Sequence, residues 1–351
     1  MTKQTLSSMF SWRALRSLLK GDNYARGSHL QERADVLKLY LLTGAREVWP
    51  KVVPAPDVND LPTSAEQRAI AFERVRLQTL TLLDAWRVER PPPLPLESPT
   101  APVAEDERAA AMAEHAAAVA AAQRRAFGFE LHLAPSTAGA SAGMGVFVSG
   151  RAPPGTVLAT YPGVSYEPAD MLLLPGGTKH FRGNEYLMGR YDKTIIDAST
   201  RALKLLPDDA LSCPLALGHR VNHPPRGTSP NIMPAPIDWD TRTPADLVQF
   251  LPQVSFEHIS AVQRQLLLDD GSGSREQRRR TISDMFVSAI AESSRPAVPD
   301  LGPVLKGLVL VAARPLEDEE VFLNYRFNPR NGSPDWYVPV DLEEDKRRWT
   351  H

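Results

Sequence analysis

The sequence predicts a mainly β, α+β protein in which an α-helical N-terminal region, 1–126, precedes a strand-rich region, 127–330. Three observations predict it. Residues Thr63 to Arg90 carry apolar side chains at helical spacing, and an alanine-rich stretch runs from Glu105 to Arg125. After Phe127 the chain changes to short apolar runs separated by glycine and proline turns.

In chain order, Phe10 to Lys20 forms a short basic amphipathic pattern, with Trp12, Leu15 and Leu19 on one side and Arg13, Arg16 and Lys20 on the other. That pattern is compatible with a mitochondrial presequence or with a helix docked on its own domain. No secretory apolar region is present. A helix is expected around Leu30 to Leu42. Thr63-Ser64-Ala65-Glu66 offers an N-cap for the next, whose apolar positions are Phe72, Val75, Leu80, Leu83 and Trp86. Proline ends it: the spacer 91–103 begins Pro91-Pro92-Pro93-Leu94-Pro95 and cannot continue a helix. The alanine-rich helix that follows has little to bury. Strands are expected at Val146-Phe147-Val148, Val157-Leu158-Ala159 and Leu308-Val309-Leu310-Val311. Between them lies an insertion, about 235–303, with a disordered loop expected near 268–280. There Asp-Asp-Gly-Ser-Gly-Ser leads into Arg278-Arg279-Arg280. Residues 331–351 form a tail.

Composition removes several function classes. The 351 residues carry 40 basic and 42 acidic side chains, so no global charge favours nucleic acid or a membrane surface. No apolar run reaches the roughly 20 residues that cross a bilayer. One cysteine, Cys213, excludes an intrachain disulfide and any cysteine-built zinc cluster. A Gly-x-Gly-x-x-Gly motif opening a βαβ unit is missing, which argues against a Rossmann-type nucleotide site. No metal site is expected.

Four segments in the strand-rich region follow a telling order. Gly143-Met144-Gly145-Val146-Phe147-Val148 comes first, then Pro154-Gly155-Thr156-Val157 and Tyr161-Pro162-Gly163. His219-Arg220-Val221-Asn222-His223 follows, with Ser229-Pro230-Asn231 after it. Gly307 to Ala313 then runs into Asp318-Glu319-Glu320-Val321-Phe322-Leu323-Asn324-Tyr325. In this order they resemble the SET-domain protein lysine methyltransferases, whose signature runs GxG, YxG, an RFxNHSCxPN-like stretch and GEELxxxY. The resemblance covers about 140 to 327, apart from the insertion. Pro214 to Gly218, Val309 to Arg314 and Phe322 to Tyr325 are most similar to the SET domain-containing protein nine group.

The resemblance implies a fold of small, mostly antiparallel sheets with a pseudoknot, S-adenosyl-L-methionine as cofactor, and a protein substrate presenting a lysine. Neither a membrane nor a specific nucleic acid is implied as partner. The nucleus or cytoplasm is the favoured compartment, with the mitochondrion as alternative. Tyr325 would be the closing tyrosine that positions the amine, and Tyr161 would line the channel; these are the expected catalytic residues. Gly143, Met144, Gly145, Asn222, His223 and Tyr325 would hold the cofactor, and the lack of a side chain at Gly145 would permit close approach. Asn231 and Arg220 would hold the knot.

The chemistry suits these residue types. A free lysine has a pKa of about 10.4, so roughly one in two thousand is neutral at pH 7. An apolar channel raises that fraction, and alignment of nitrogen, carbon and sulfur supplies most of the rate. Departures from the family pattern are also present. Pro224 to Ser229 lengthens the knot loop, the Ser-Cys pair after Asn-His is missing, and no post-SET cysteines follow. Leu323 stands where the family often has Phe or Tyr, which leaves room for higher methylation states. Trp336 or Tyr337 is expected to supply the wall that the cysteines would have built. These departures leave a SET-like binding or scaffold protein with weak catalysis as the alternative.

Overall fold

A computed structural model describes residues 27–51, 60–93, 105–174, 180–181, 183–268, 304–329 and 333–349. The basic segment Phe10 to Lys20, most of the proline-rich spacer and the loop with Arg278-Arg279-Arg280 lie outside the described residues.

Three helices come first: α1 (Gly27–Val48), α2 (Ser64–Glu89) and α3 (Glu105–Phe127). Strands β1 (Phe129–Pro135), β2 (Met144–Ala152), β3 (Val157–Thr160) and β4 (Gly163–Tyr166) follow. Next are α4 (Pro168–Leu173), β5 (Leu187–Gly189), β6 (Ile195–Asp197), α5 (Thr200–Leu203) and α6 (Asp208–Ser212). The order closes with β7 (Ile232–Trp239), β8 (Gln253–Ser255), α7 (Ala261–Leu268), β9 (Leu305–Ala312), β10 (Leu316–Glu320) and α8 (Leu342–Arg348). The class is α+β, but among the described residues helix exceeds strand, so the expectation of a mainly β protein does not hold. The reason is length: α1, α2 and α3 have 22, 26 and 23 residues, while no strand among the described residues exceeds nine.

The chain forms two compact units. The first comprises Met1–Leu158, Arg220–Ala235 and Leu310–His351; the second comprises Ala159–His219 and Pro236–Val309. The composition changes at Phe127, yet the three long helices share a unit with the strands that follow them. Strands β3, β9 and β7 pair in that order.

In the first unit, α2 begins at a capping box. The Thr63 hydroxyl accepts from Glu66 N–H, and the Glu66 carboxylate accepts from Thr63 N–H. Such a cap contributes about 1 kcal/mol. Ala71, Val75, Thr79, Leu82, Leu83 and Trp86 form its buried stripe, while Phe72 and Leu80 are only half-buried. Spacing found the helix but placed the stripe slightly off, because small Ala71 and Thr79 face inward. Gln78 extends from α2 to cap the turn before β3: its amide donates to Gly155 O at 3.1 Å, and its carbonyl accepts from Val157 N–H at 2.6 Å. Gly155 has φ +76°, and a Cβ there would run into the main chain of Leu42 and Thr43. Helix α3 is mostly exposed, as its alanines imply; Gln123 is buried and bonds both the N–H and the carbonyl of Leu131. Strands β1, β2 and β10 form an antiparallel sheet in that order, with Val146 and Val148 in the core.

In the second unit, β5, β6, β4 and β8 form a sheet in which β4 and β8 run parallel. Its core is Val164, Tyr166, Leu174, Phe181, Ala202, Phe256, Ile259 and Leu267. Part of the expected insertion is therefore integral to the fold. Gln253–Ser255 completes a sheet, and Phe256, Ile259 and Leu267 are core residues. Residues 269–303 lie outside the described residues.

Candidate functional site

The first unit contains motif residues 143–148, 154–157, 220–223, 229–231, 310–313 and 318–325. Strand β10 pairs with β2 so that Glu320 lies opposite Phe147. Gly145, two residues back along β2, shares that face, away from the core side chains Val146 and Val148. The segment beyond β10 bonds to the mid-chain motif. Asn222 bridges Phe322, and Leu323 N–H donates to Asn222 O at 2.9 Å. Asn231 N–H donates to Phe322 O, and its side chain returns bonds to Phe322 N–H (2.7 Å) and Glu320 O (2.7 Å). Asn231 is 1% exposed and acts as a tie between these segments. Arg220 is exposed.

The Asn222 amide reaches β2 and donates to Met144 O at 3.1 Å. The half-buried Tyr325 donates its hydroxyl proton to Val221 O at 2.9 Å, one residue from Asn222. His223 joins three strands of chain. Its Nδ1 accepts from Tyr325 N–H at 3.3 Å and its Nε2 lies 2.8 Å from Val338 O, which requires the Nε2–H tautomer. Burial holds its pKa below the ordinary histidine value. A neutral ring with both nitrogens engaged organises the site and is not placed for proton transfer.

Five rings surround this point. His223 lies 4.5 Å from Tyr337 and 5.5 Å from Tyr325 between centroids. Tyr325 meets Phe327 and Trp336 edge-on at 5.9 and 6.1 Å, and Phe327 meets Tyr337 at 4.8 Å. Trp336 remains half exposed, while Tyr337 is buried. The tail therefore stands beside Tyr325 and His223. A polar anchor holds it. Tyr337 OH donates to Asp345 at 3.1 Å; Asp345 is fully buried, and burial pushes its pKa up to about 6. Burial, reinforced by Asp345, also raises the Tyr337 phenol. Further out, Arg348 pairs with Asp35 at 2.6 Å, tying α8 to α1, and Arg326 pairs with Glu344 at 2.7 Å, tying α8 to the segment after β10. Beside Asp35, Arg326 and Glu344, burial lowers the pKa of Lys38.

Among the expected residues, Met144, Gly145, Asn222, His223 and Tyr325 come together. Gly143 ends the turn before β2, is exposed with φ +64°, and accepts from Ser136 N–H at 2.9 Å. Tyr161 belongs to the second unit. It is buried with Ile196, Ala198 and Leu308, and its N–H donates to Leu308 O. A Cβ at Gly145 would overlap the Glu320 carboxylate and press on the Asn222 amide.

Glu320 was the residue that motif reading passed over. It is 4% exposed and accepts from Ser136 Oγ (2.7 Å), Thr137 N–H (2.7 Å) and Thr137 Oγ1 (2.5 Å). In the sequence it is the last of four consecutive acids, Glu317 to Glu320, the usual mark of a solvated turn. Its position opposite Phe147, next to a glycine, is the only signal that separates it. Among the described residues no group of three or more His, Cys, Asp or Glu side chains could hold a metal, and no helix is long and apolar enough to cross a membrane.

No family model matches the chain. No curated protein matches it either.

Proposed function

We propose that this chain is an S-adenosylmethionine-dependent protein lysine N-methyltransferase of SET type. One observation carries the reading: Asn222, Met144 and Tyr325, far apart in sequence, meet through Asn222 Nδ2–Met144 O and Tyr325 OH–Val221 O. The pairing of 221–223 and 231–232 with 320–325 is also what a pseudoknot requires. The local chemistry fits a sulfonium cofactor, since half-exposed aromatic faces at Tyr325 and Trp336 and the buried Glu320 carboxylate all favour a cation.

Met144, Gly145, Asn222 and His223 would hold the cofactor, with Trp336 or Tyr337 covering it. When bound, it would supply an electrophilic methyl group on sulfur. Tyr325 would do the rest of the work: its hydroxyl, already on a main-chain carbonyl, orients the lysine nitrogen without adding charge. Removal of water from around the lysine on binding would disfavour the ammonium form and raise the neutral fraction of the amine. A positioned hydroxyl of this kind contributes about 10²–10³ in rate.

The test is methyl transfer from radiolabelled S-adenosylmethionine into proteins of a cell extract. The native chain is expected to label lysine, and Tyr325→Phe to lose about 10²-fold or more of the rate while still binding cofactor. Absence of labelling by the native chain, with cofactor bound, would leave a SET-like binding protein as the better reading.

A further inference from the structure

Resting on that reading, we infer that Glu320 is the positioning residue of the cofactor loop: through Ser136 and Thr137 it fixes the turn 136–145 so that the Met144–Gly145 main chain meets Asn222. The carboxylate is buried, and Ser136 Oγ, Thr137 N–H and Thr137 Oγ1 all donate to it. No salt bridge competes for it among the described residues; its neighbour Glu319 takes Arg314 instead. Both ends of the turn are thereby held. Ser136 N–H closes it onto Gly143 O, and Asn222 Nδ2 fastens Met144 O.

Gly145 shows that the arrangement is tight. Any side chain there would strike the Glu320 carboxylate and the Asn222 amide together. The glycine of the motif is thus required by a carboxylate beneath it, and the carboxylate by a loop of small hydroxyl residues above it. Strand β10 supplies the fixed base, because Val321 N–H donates to Val146 O and Asn231 fastens Glu320 O. A group held on a strand sets a loop more closely than the loop could set itself. Glu320 also lies five residues before Tyr325, so the same short segment would set the cofactor loop and the reacting hydroxyl.

The experiment uses the full chain and S-adenosylmethionine as titrant, with melting temperature and steady-state rates measured alongside. Glu320→Ala is expected to weaken binding and raise the cofactor KM about tenfold, with kcat at saturating cofactor within about threefold of native. Glu320→Gln keeps an oxygen for Thr137 N–H and is expected to recover most of that loss. A purely structural role would lower the melting temperature and the active fraction without moving KM. The inference is overturned if folded Glu320→Ala binds as native does, or if Glu320→Gln is no better than Glu320→Ala. Should Glu320→Ala fail to fold, Ser136→Ala with Thr137→Val decides from the loop side: weaker binding supports the inference and native binding overturns it. A native chain that binds no cofactor sinks the functional reading itself, whereas native binding with indifferent variants sinks only the role of Glu320.

Discussion

The second unit and the C-terminal part of the first are built by different forces. The second unit holds its sheet with an apolar core, in which Tyr166 stacks on Phe256 at 4.8 Å and Phe181 meets it edge-on. Residues 320–349 of the first unit are held by directed bonds instead: Glu320 to Ser136 and Thr137, His223 to Val338, Tyr337 to Asp345 and Arg348 to Asp35. Apolar burial tolerates small changes of angle, and directed bonds do not. Burial displaces the pKa of Asp345 in this region and of His223 and Lys38 elsewhere in the first unit, as it also does that of Tyr166 in the second unit. The contrast is one between a part that supplies stability and a part that supplies geometry.

The contrast can be broken by substitution. Phe256→Ala, in the apolar core, is expected to cost about 3–5 kcal/mol of stability, read by thermal or denaturant unfolding. A cost below 1 kcal/mol would show that this core is not the stabilising element. Gly145→Ala is expected to cost about 1–3 kcal/mol, because the Glu320 carboxylate cannot withdraw without breaking its bonds to Ser136 and Thr137. Unchanged stability and cofactor affinity would mean that the turn has room to spare. Trp336→Ala is expected to weaken cofactor binding by about 1 kcal/mol, as loss of one exposed aromatic face implies. Native affinity in that variant would remove the tail from the site.

The smallest effect is on pH dependence. Asp345 has a folded pKa of about 6, above the ordinary 3.8, so the folded protein binds its proton more tightly than the unfolded chain does. Stability from this group is full below the ordinary value and falls as pH rises through roughly 4 to 6. Asn cannot ionise and still accepts the Tyr337 hydroxyl. Asp345→Asn should therefore melt higher than native above pH 6, with the difference shrinking towards pH 4. His223 acts in the opposite sense. Its pKa is lowered, so its contribution is lost as pH falls below about 6.5, equally in both proteins. A native melting curve that runs parallel to the variant at every pH would contradict the assignment.

Much of the fold was legible where local chemistry decides it. The capping box at Thr63, the alanine run and the β-branched runs at Val146 and Leu308 all became the expected elements. Strand β8 was not legible, since Gln253-Val254-Ser255 is too short to show a period and gains its identity only by pairing with β4. At the site, Asn222 and Tyr325 were named through motif order, which carries information that spacing cannot. Glu320 was hidden for a physical reason: a bulge between β2 and β10, at Gly150 opposite Asp318, breaks the alternation that would have shown which acid turns inward. The contact of Gly145 with Glu320 was equally hidden, because the two residues lie 175 apart in sequence and meet only through the β2–β10 pairing.

The most direct measurement is a calorimetric titration of the native chain with S-adenosylmethionine, with Asn222→Ala beside it. Saturable binding of one cofactor per chain, weakened in the variant, is the expected result. Heats no larger than dilution for the native chain, in a sample shown to be folded, would contradict the account at its root.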